Sequence, residues 1–295
     1  MLNQQESAMI IVTGANGQLG RAVAERLLAR IPAAQIGVSV RDPEKARDLS
    51  QRGVRVRRGD FDDAASLAHA FEGASQVLIV SSNSAGDAAV RQHQAAIDAA
   101  KAAGASRILY TSHMGANPAS PFAPMVDHAA TEAALRDSGV PFTALRNGFY
   151  ATTAAWLLGA AFQTGELAVP EDGPVAWTTH ADLAEATAII LTEESVDGIS
   201  PDLTASEAVD MAGLAAIAAE LTGRPIRRVV MSAADYTAGV VAHGAPAAAA
   251  AMFLGIFAAS RQGDFAHVDP TLARLIGRSP TPVRDVLKAA ISPAG

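Results

Sequence analysis

The chain has 295 residues, 49% of them apolar and 18% charged, with a net charge of −7 and no cysteine. That length and apolar content suit one large α/β domain, or a domain with a smaller lobe, built around a sizeable core. The acidic balance argues against a nucleic-acid surface, which needs a clustered basic face, and the lack of cysteine excludes disulfides, thiolate nucleophiles and cysteine metal sites.

Residues 1–8, MLNQQESA, are polar and predict a disordered extension without the basic start and apolar core of a signal peptide. The stretch MIIVTGANGQLGRAVAERLLAR follows. Residues 9–12 form a short apolar β-branched run of the kind buried in a parallel sheet. Gly14, Gly17 and Gly20 come next at three-residue spacing, and Leu19, Val23, Leu27 and Leu28 then recur on one helical face. A glycine turn between a buried strand and a helix lets a pyrophosphate rest against the helix-start N–H groups. Gly14 provides the tight exit from the strand, Gly17 removes a Cβ that would strike the phosphate, and Gly20 lets helix and sheet pack closely. Asn16 adds a polar contact, and Gln18 and Leu19 complete the turn.

Further strands are predicted at residues 35–40, 54–57, 76–80, 107–111 and 140–145. Helices are predicted between them at 43–51, 64–71 and 88–103, with residues 131–138 inside a fourth. After Tyr150 the texture changes. A helix around Trp156 and Phe162, short strands near 166–169, 175–177 and 226–231, helices at 181–191 and 213–221, and an alanine-rich helical end are expected. The pattern is a doubly wound parallel sheet of Rossmann type over residues 9–150, with a smaller, mostly helical substrate lobe over 151–295 and chain crossings between them. The longest apolar run, residues 247–259, is well short of the ~20 residues that span a bilayer. It reads as a core or dimer-interface helix, or as a pocket wall presenting Met252, Phe253 and Phe257. A cytoplasmic protein able to form a homodimer, with no metal site and no membrane contact, is the expectation.

Ligands of such sheets bind beyond the carboxyl ends of the strands. At the second strand end, VSVRDPEKA, Arg41 is placed to pair with the extra phosphate of NADP, so NADPH is the expected cofactor. Asp42 either takes the ribose or caps the helix. Asp60 and Phe61, after the third strand, would edge the adenine, Phe61 being equally suited to ordinary core. Ser81, Ser82 and Asn83 close the fourth strand, in place for the ribose nearest the nicotinamide, and Thr111 ends the fifth at the same edge.

TGANGQLG, VRDPEKA, AAKAAGASRILYTS, HAATEAAL and PFTALRNGFY, in this order and spacing, resemble the NmrA-like group of atypical short-chain dehydrogenases. More narrowly the chain is similar to bacterial NADPH-dependent quinone oxidoreductases and triphenylmethane-dye reductases, from about residue 9 to 290. The resemblance implies a flavin-free enzyme that passes a hydride from NADPH to a small aromatic acceptor. It also implies that Asn147, Phe149 and Tyr150 border nicotinamide and substrate, although Phe149 and Tyr150 also suit helix-start packing.

Most short-chain dehydrogenases protonate the carbonyl oxygen with the tyrosine of a Tyr-x-x-x-Lys pair. That pattern is absent, and the corresponding stretch, VDHAATEAAL, carries His128 and Glu132 instead. The expected acceptor is therefore already electrophilic, a quinone or a cationic dye, with catalysis resting on orientation. His113, next to the fifth strand end, is a candidate substrate contact and acid; Tyr150 is a second candidate. His128 either donates a proton or orders its own helix, Asp127 orients it or caps, and His180 either faces the chemistry or starts a helix. The alternative function is an NADP-binding redox sensor without turnover.

Overall fold

A computed structural model describes residues 8–193, 196–244 and 246–291. Apart from Ala8, the extension expected over residues 1–8 lies outside the described residues.

In chain order the elements begin with β1 (Met9–Thr13), α1 (Gln18–Leu28), β2 (Ile36–Val40), α2 (Arg47–Gln51), β3 (Arg55–Arg58), α3 (Ala64–Phe71), β4 (Ala74–Ile79), α4 (Asp87–Ala102), β5 (Arg107–His113), α5 (Ala123–Asp137) and β6 (Phe142–Asn147). They continue with β7 (Phe149–Tyr150), α6 (Ala151–Leu158), α7 (Ala161–Thr164), β8 (Glu166–Val169), β9 (Trp177–Thr178), α8 (His180–Thr192), β10 (Gly198–Ile199), α9 (Met211–Thr222) and β11 (Arg227–Val230). The helices α10 (Ala233–Ala242), α11 (Ala247–Arg261), α12 (Thr271–Ile276) and α13 (Val283–Ile291) close the chain.

Two compact units result, each discontinuous in sequence. Of the described residues, the first comprises those within 8–112, 127–146 and 183–201, the second those within 113–126, 147–182 and 202–291. A seven-stranded sheet in the order β10-β6-β5-β4-β1-β2-β3 carries the first unit. Its registered pairs, such as Val12 with Val38 and Val12 with Leu78, run parallel. This is the doubly wound sheet expected from alternating apolar strands and amphipathic helices. Central strands must be apolar on both faces because helices cover both; β2 is buried along its whole length. α1 buries Leu19, Val23, Ala24 and Leu27 along one face, each large side chain contributing about 2 kcal/mol from burial. Ile11, Phe71, Ile79, Ile97, Ile108 and Tyr110 belong to the same unit's core.

The second unit packs Phe149, Trp177, Leu214, Phe257 and Phe265 into its own core. It holds two two-stranded pairs, β8 with β11 and β7 with β9, and is otherwise mostly helical. No helix among the described residues is long and apolar enough to cross a membrane.

Several element boundaries differ from expectation. The single helix expected over 43–51 divides into a 3₁₀ turn, Pro43–Ala46, and α2. Pro43 lacks a donor, and the Asp42 carboxylate accepts the Glu44 N–H at 3.2 Å, which holds the tighter turn. The strand expected at 175–177 starts two residues later, as β9, while Val175 makes a single antiparallel bridge to Val209. The two-residue strands β7 and β10 have no periodicity to read.

Candidate active site

The glycine turn is built as its residues dictate. Gly14 has φ +65°, which glycine alone adopts without strain, and its N–H reaches the Ser39 carbonyl at 2.9 Å. A Cβ on Gly20 would lie 2.6 Å from the Gly14 carbonyl oxygen, so α1 can sit this close to the sheet only with glycine there. A Cβ on Gly17 would meet the same oxygen at 3.3 Å. Gly17 caps α1 and supplies no side chain to its first-turn N–H groups. Gly14, Asn16, Gly17 and Gln18 are exposed, whereas Leu19 turns its side chain into the core. The result is an open, positive helix end beside backbone with no Cβ, which fits a pyrophosphate.

The Asn16 amide donates to the Asp42 carbonyl at 2.8 Å, tying the end of β2 to this turn. Asp42 is occupied as the cap described above, with Lys45 at 3.9 Å. Arg41 is exposed and makes no hydrogen bond or ion pair among the described residues. Asp60 accepts the Asp62 N–H at 3.2 Å in its own turn and lies 3.8 Å from Arg58. Phe61 is half-buried against the first unit's core, edge-on to His93.

At the ends of β4 and β5, polar side chains replace the lost strand partners. Val80 N–H donates to Thr13 Oγ1, Ser81 N–H to Thr111 Oγ1 and Ser82 N–H to His93 Nε2, each at 2.9 Å. Thr111 Oγ1 also donates to Ser81 Oγ at 3.3 Å. Asn83 is exposed with no hydrogen bond among the described residues. Thus Ser81, Ser82 and Thr111 are brought together, and the backbone of that group rests on Thr13 and His93, two residues the sequence reading passed over.

The positions of the missing tyrosine and lysine are engaged internally. His128 Nδ1 lies 2.7 Å from the buried Tyr110 hydroxyl, and burial pushes its pKa down to about 4. Glu132, 3% exposed, accepts the Ser112 hydroxyl at 2.6 Å and both Nε and an Nη of Arg146, at 3.0 and 2.9 Å. Asp127 accepts the Gly86 N–H at 2.8 Å, neither capping α5 nor orienting His128.

Within the second unit, His113 is 8% exposed, and its Nδ1 accepts the Gly115 N–H at 3.1 Å. Its ring meets Phe149 and Phe265 edge-on, with centroids 5.3 and 5.4 Å away. Phe149 is a core ring that also contacts Phe122 and Trp177. Between Asn147 and Phe149 a Cβ on Gly148 would lie 2.2 Å from Thr178 Oγ1, which explains the glycine of RNGFY. Asn147 is fully buried, and apart from a loose contact with the Tyr150 hydroxyl its amide makes no well-formed hydrogen bond among the described residues. Burial of an amide so poorly paired costs free energy, so Asn147 fits a group that a bound cofactor supplies. Tyr150 begins α6 without capping it, and its ring lies over His180 at 4.2 Å. Burial pushes the Tyr150 hydroxyl pKa up, opposed by the nearby Asn147 amide, and pushes His180 down. Phe257 is core and Met252 is exposed, so α11 presents both kinds of residue.

A family model described as NAD(P)H-binding matches residues 14–194. The chain belongs to this NAD(P)H-binding family. The match covers the glycine turn, the β2 end and the β4 and β5 ends. Among family relatives, quinone oxidoreductase 2 of Escherichia coli is 36% identical over 92% of this chain and 95% of its own. The structure of the Escherichia coli NADPH-dependent quinone oxidoreductase QOR2 complexed with NADPH aligns with a TM-score of 0.91 at 35% identity, covering 96% of this chain and 100% of that one. Triphenylmethane reductase of Citrobacter sp., complexed with NADP(H), aligns at 0.88 and 34% identity with the same coverage. The resemblance read from the motifs is borne out.

Proposed function

We propose that this protein is an NADPH-dependent reductase that passes a hydride directly, without a flavin, to a quinone or a similar electrophilic aromatic acceptor. Its relatives make the chain an NAD(P)H-dependent oxidoreductase. The observation that narrows the acceptor is the state of residues 128 and 132. His128 is hydrogen-bonded to Tyr110 and held neutral, and Glu132 is paired with Arg146. Neither replaces a tyrosine acid, so reduction of an ordinary ketone lacks its usual proton donor. A quinone accepts a hydride first and is left as a stabilised phenolate.

Bound NADPH supplies the hydride. In this reading the first-turn N–H groups of α1 hold its pyrophosphate, and Arg41 pairs with the 2′-phosphate while Asp42 is occupied as a cap. Asp60 and Phe61 edge the adenine, and Ser81, Ser82, Asn83 and Thr111 hold a ribose. Asn147, backed by Phe149, satisfies its amide on the nicotinamide, and His113 and Tyr150 serve the acceptor. The second unit is then the substrate lobe. Exposed Trp156, stacked on Phe253 at 4.9 Å, with exposed Met252, is the candidate self-association face. Light scattering should show a dimer that Trp156→Lys dissociates; a wild-type monomer would remove that part.

The test is oxidation of NADPH by the purified protein with a small quinone, analysed for flavin. Turnover in flavin-free protein supports the reading, and turnover only after added flavin contradicts it.

A further inference from the structure

Five backbone N–H groups of the β4–α4 connection donate to side chains, one of them, Ser84, to the Ser82 hydroxyl within the connection and the other four to side chains outside it. Val80 and Ser81 use Thr13 and Thr111, Ser82 uses His93, and Gly86 uses Asp127. His93 is 2% exposed on α4, a position where an unneeded polar ring would be costly. Its bonding fixes its tautomer. Nε2 accepts from Ser82 N–H, so it carries the lone pair and the proton sits on Nδ1. Nδ1–H then donates to Thr131 Oγ1 at 2.9 Å, and that hydroxyl donates to the Asp127 carbonyl at 2.8 Å. The Asp127 carboxylate in turn holds Gly86. Both ends of the connection thus run to one turn of α5, through His93 at one end and Asp127 at the other. The ring is wedged by Tyr110, with centroids 5.2 Å apart, and by Phe61 at 6.5 Å. Its titratable neighbours are Tyr110 on β5, whose hydroxyl is 3.5 Å from Nδ1, and His128 on α5. Burial, reinforced by His128, keeps the ring neutral, as the Ser82 bond demands.

We propose that His93 is a positioning residue for the cofactor: its Nε2 holds the Ser82 backbone so that Ser81, Ser82 and Asn83 are preorganised for a ribose of NADPH. This rests on the reading of the Ser81–Asn83 corner as a cofactor contact. His93 touches no cofactor itself. Its action is on the cost of ordering the corner when NADPH binds.

Two substitutions separate the bonds. In His93→Asn the amide reaches only the Nδ1 position, keeping Thr131 and losing Ser82. In His93→Gln the amide oxygen reaches the Nε2 position and again accepts from Ser82. NADPH affinity is read by its fluorescence on titration, alongside KM, kcat and the melting temperature of the full chain. His93→Asn should weaken NADPH roughly tenfold, raise KM for NADPH with kcat nearly unchanged, and be largely rescued in His93→Gln. Ser82→Pro, which deletes the donor, should weaken NADPH by a similar factor and serves if His93→Asn does not fold. Equal loss of affinity in the Asn and Gln variants, or wild-type affinity with only a lowered melting temperature, overturns the proposal. Asn83→Ala tests the underlying reading. If it leaves NADPH binding unchanged, that reading falls and the proposal with it. If it weakens binding while His93→Asn and Ser82→Pro do not, only the positioning role falls.

Discussion

Arg41 and Asn147 are the two side chains that most need a ligand. Arg41 lies beside a carboxylate already used as a cap, and charge-assisted bonds to a phosphate contribute about 2 kcal/mol. Arg41→Ala should therefore weaken NADPH about thirtyfold and NADH hardly at all, as read from dissociation constants for both nucleotides. Equal weakening would show that this arginine reads no phosphate. Asn147 makes the opposite kind of prediction. Its amide, poorly paired apart from the Tyr150 hydroxyl, already costs the folded protein about 1 kcal/mol. Asn147→Ala removes that cost and leaves a small cavity, so the melting temperature of the cofactor-free protein should stay the same or rise. NADPH-dependent turnover should fall at least tenfold. The asparagine was legible from RNGFY, but its poor pairing was not, because that depends on what β9 and the segment after β10 leave around it.

The strand–turn–helix unit from β1 to α1 was readable because every part of its logic is local: an apolar run, a glycine at positive φ, and a helical stripe. The same locality makes it separable by mutation. Gly20→Ala places a Cβ 2.6 Å from backbone that cannot yield, so it should cost about 2 kcal/mol of stability, seen as a lower urea midpoint. Gly17→Ala meets the same carbonyl oxygen at 3.3 Å; it should melt near wild type yet bind NADPH poorly. A reversal of that order would contradict the roles given to the two glycines. By contrast, the clusters joining α4, β5, α5 and β6 were not legible. His93 to Thr131, Ser112 to Glu132 and Glu132 to Arg146 join residues 14 to 38 positions apart. Each of these residues alone reads as an ordinary polar residue.

Two histidines, His93 buried and His128 half-buried, bring pH into the stability of the whole molecule. His93 and His128 both titrate near 4 in the folded protein because burial disfavours their charged form, against about 6.5 when unfolded. Between these values the unfolded chain binds more protons, so stability is fully present above about pH 6.5 and falls as pH drops toward 4. His93 alone accounts for on the order of 3 kcal/mol of that loss. Urea midpoints from pH 4 to 7 should show it, and His93→Gln should flatten the slope; an unchanged slope would mean that His93 is not neutral in the fold. The parallel sheet of the first unit and the helical content of the second followed from periodicity, whereas the strand order did not. The division into discontinuous units did not, because it depends on the return of residues 183–201 to the first sheet. The central claim is direct, NADPH-specific hydride transfer to an electrophilic aromatic. The most direct measurement is transfer of deuterium from stereospecifically labelled NADPH to a cationic triphenylmethane dye, whose reduced carbon retains the label, with NADH run alongside. The account predicts label in the product at NADPH concentrations where NADH gives little. Tight NADPH binding without turnover of dyes, quinones or aldehydes would contradict it and identify a sensor.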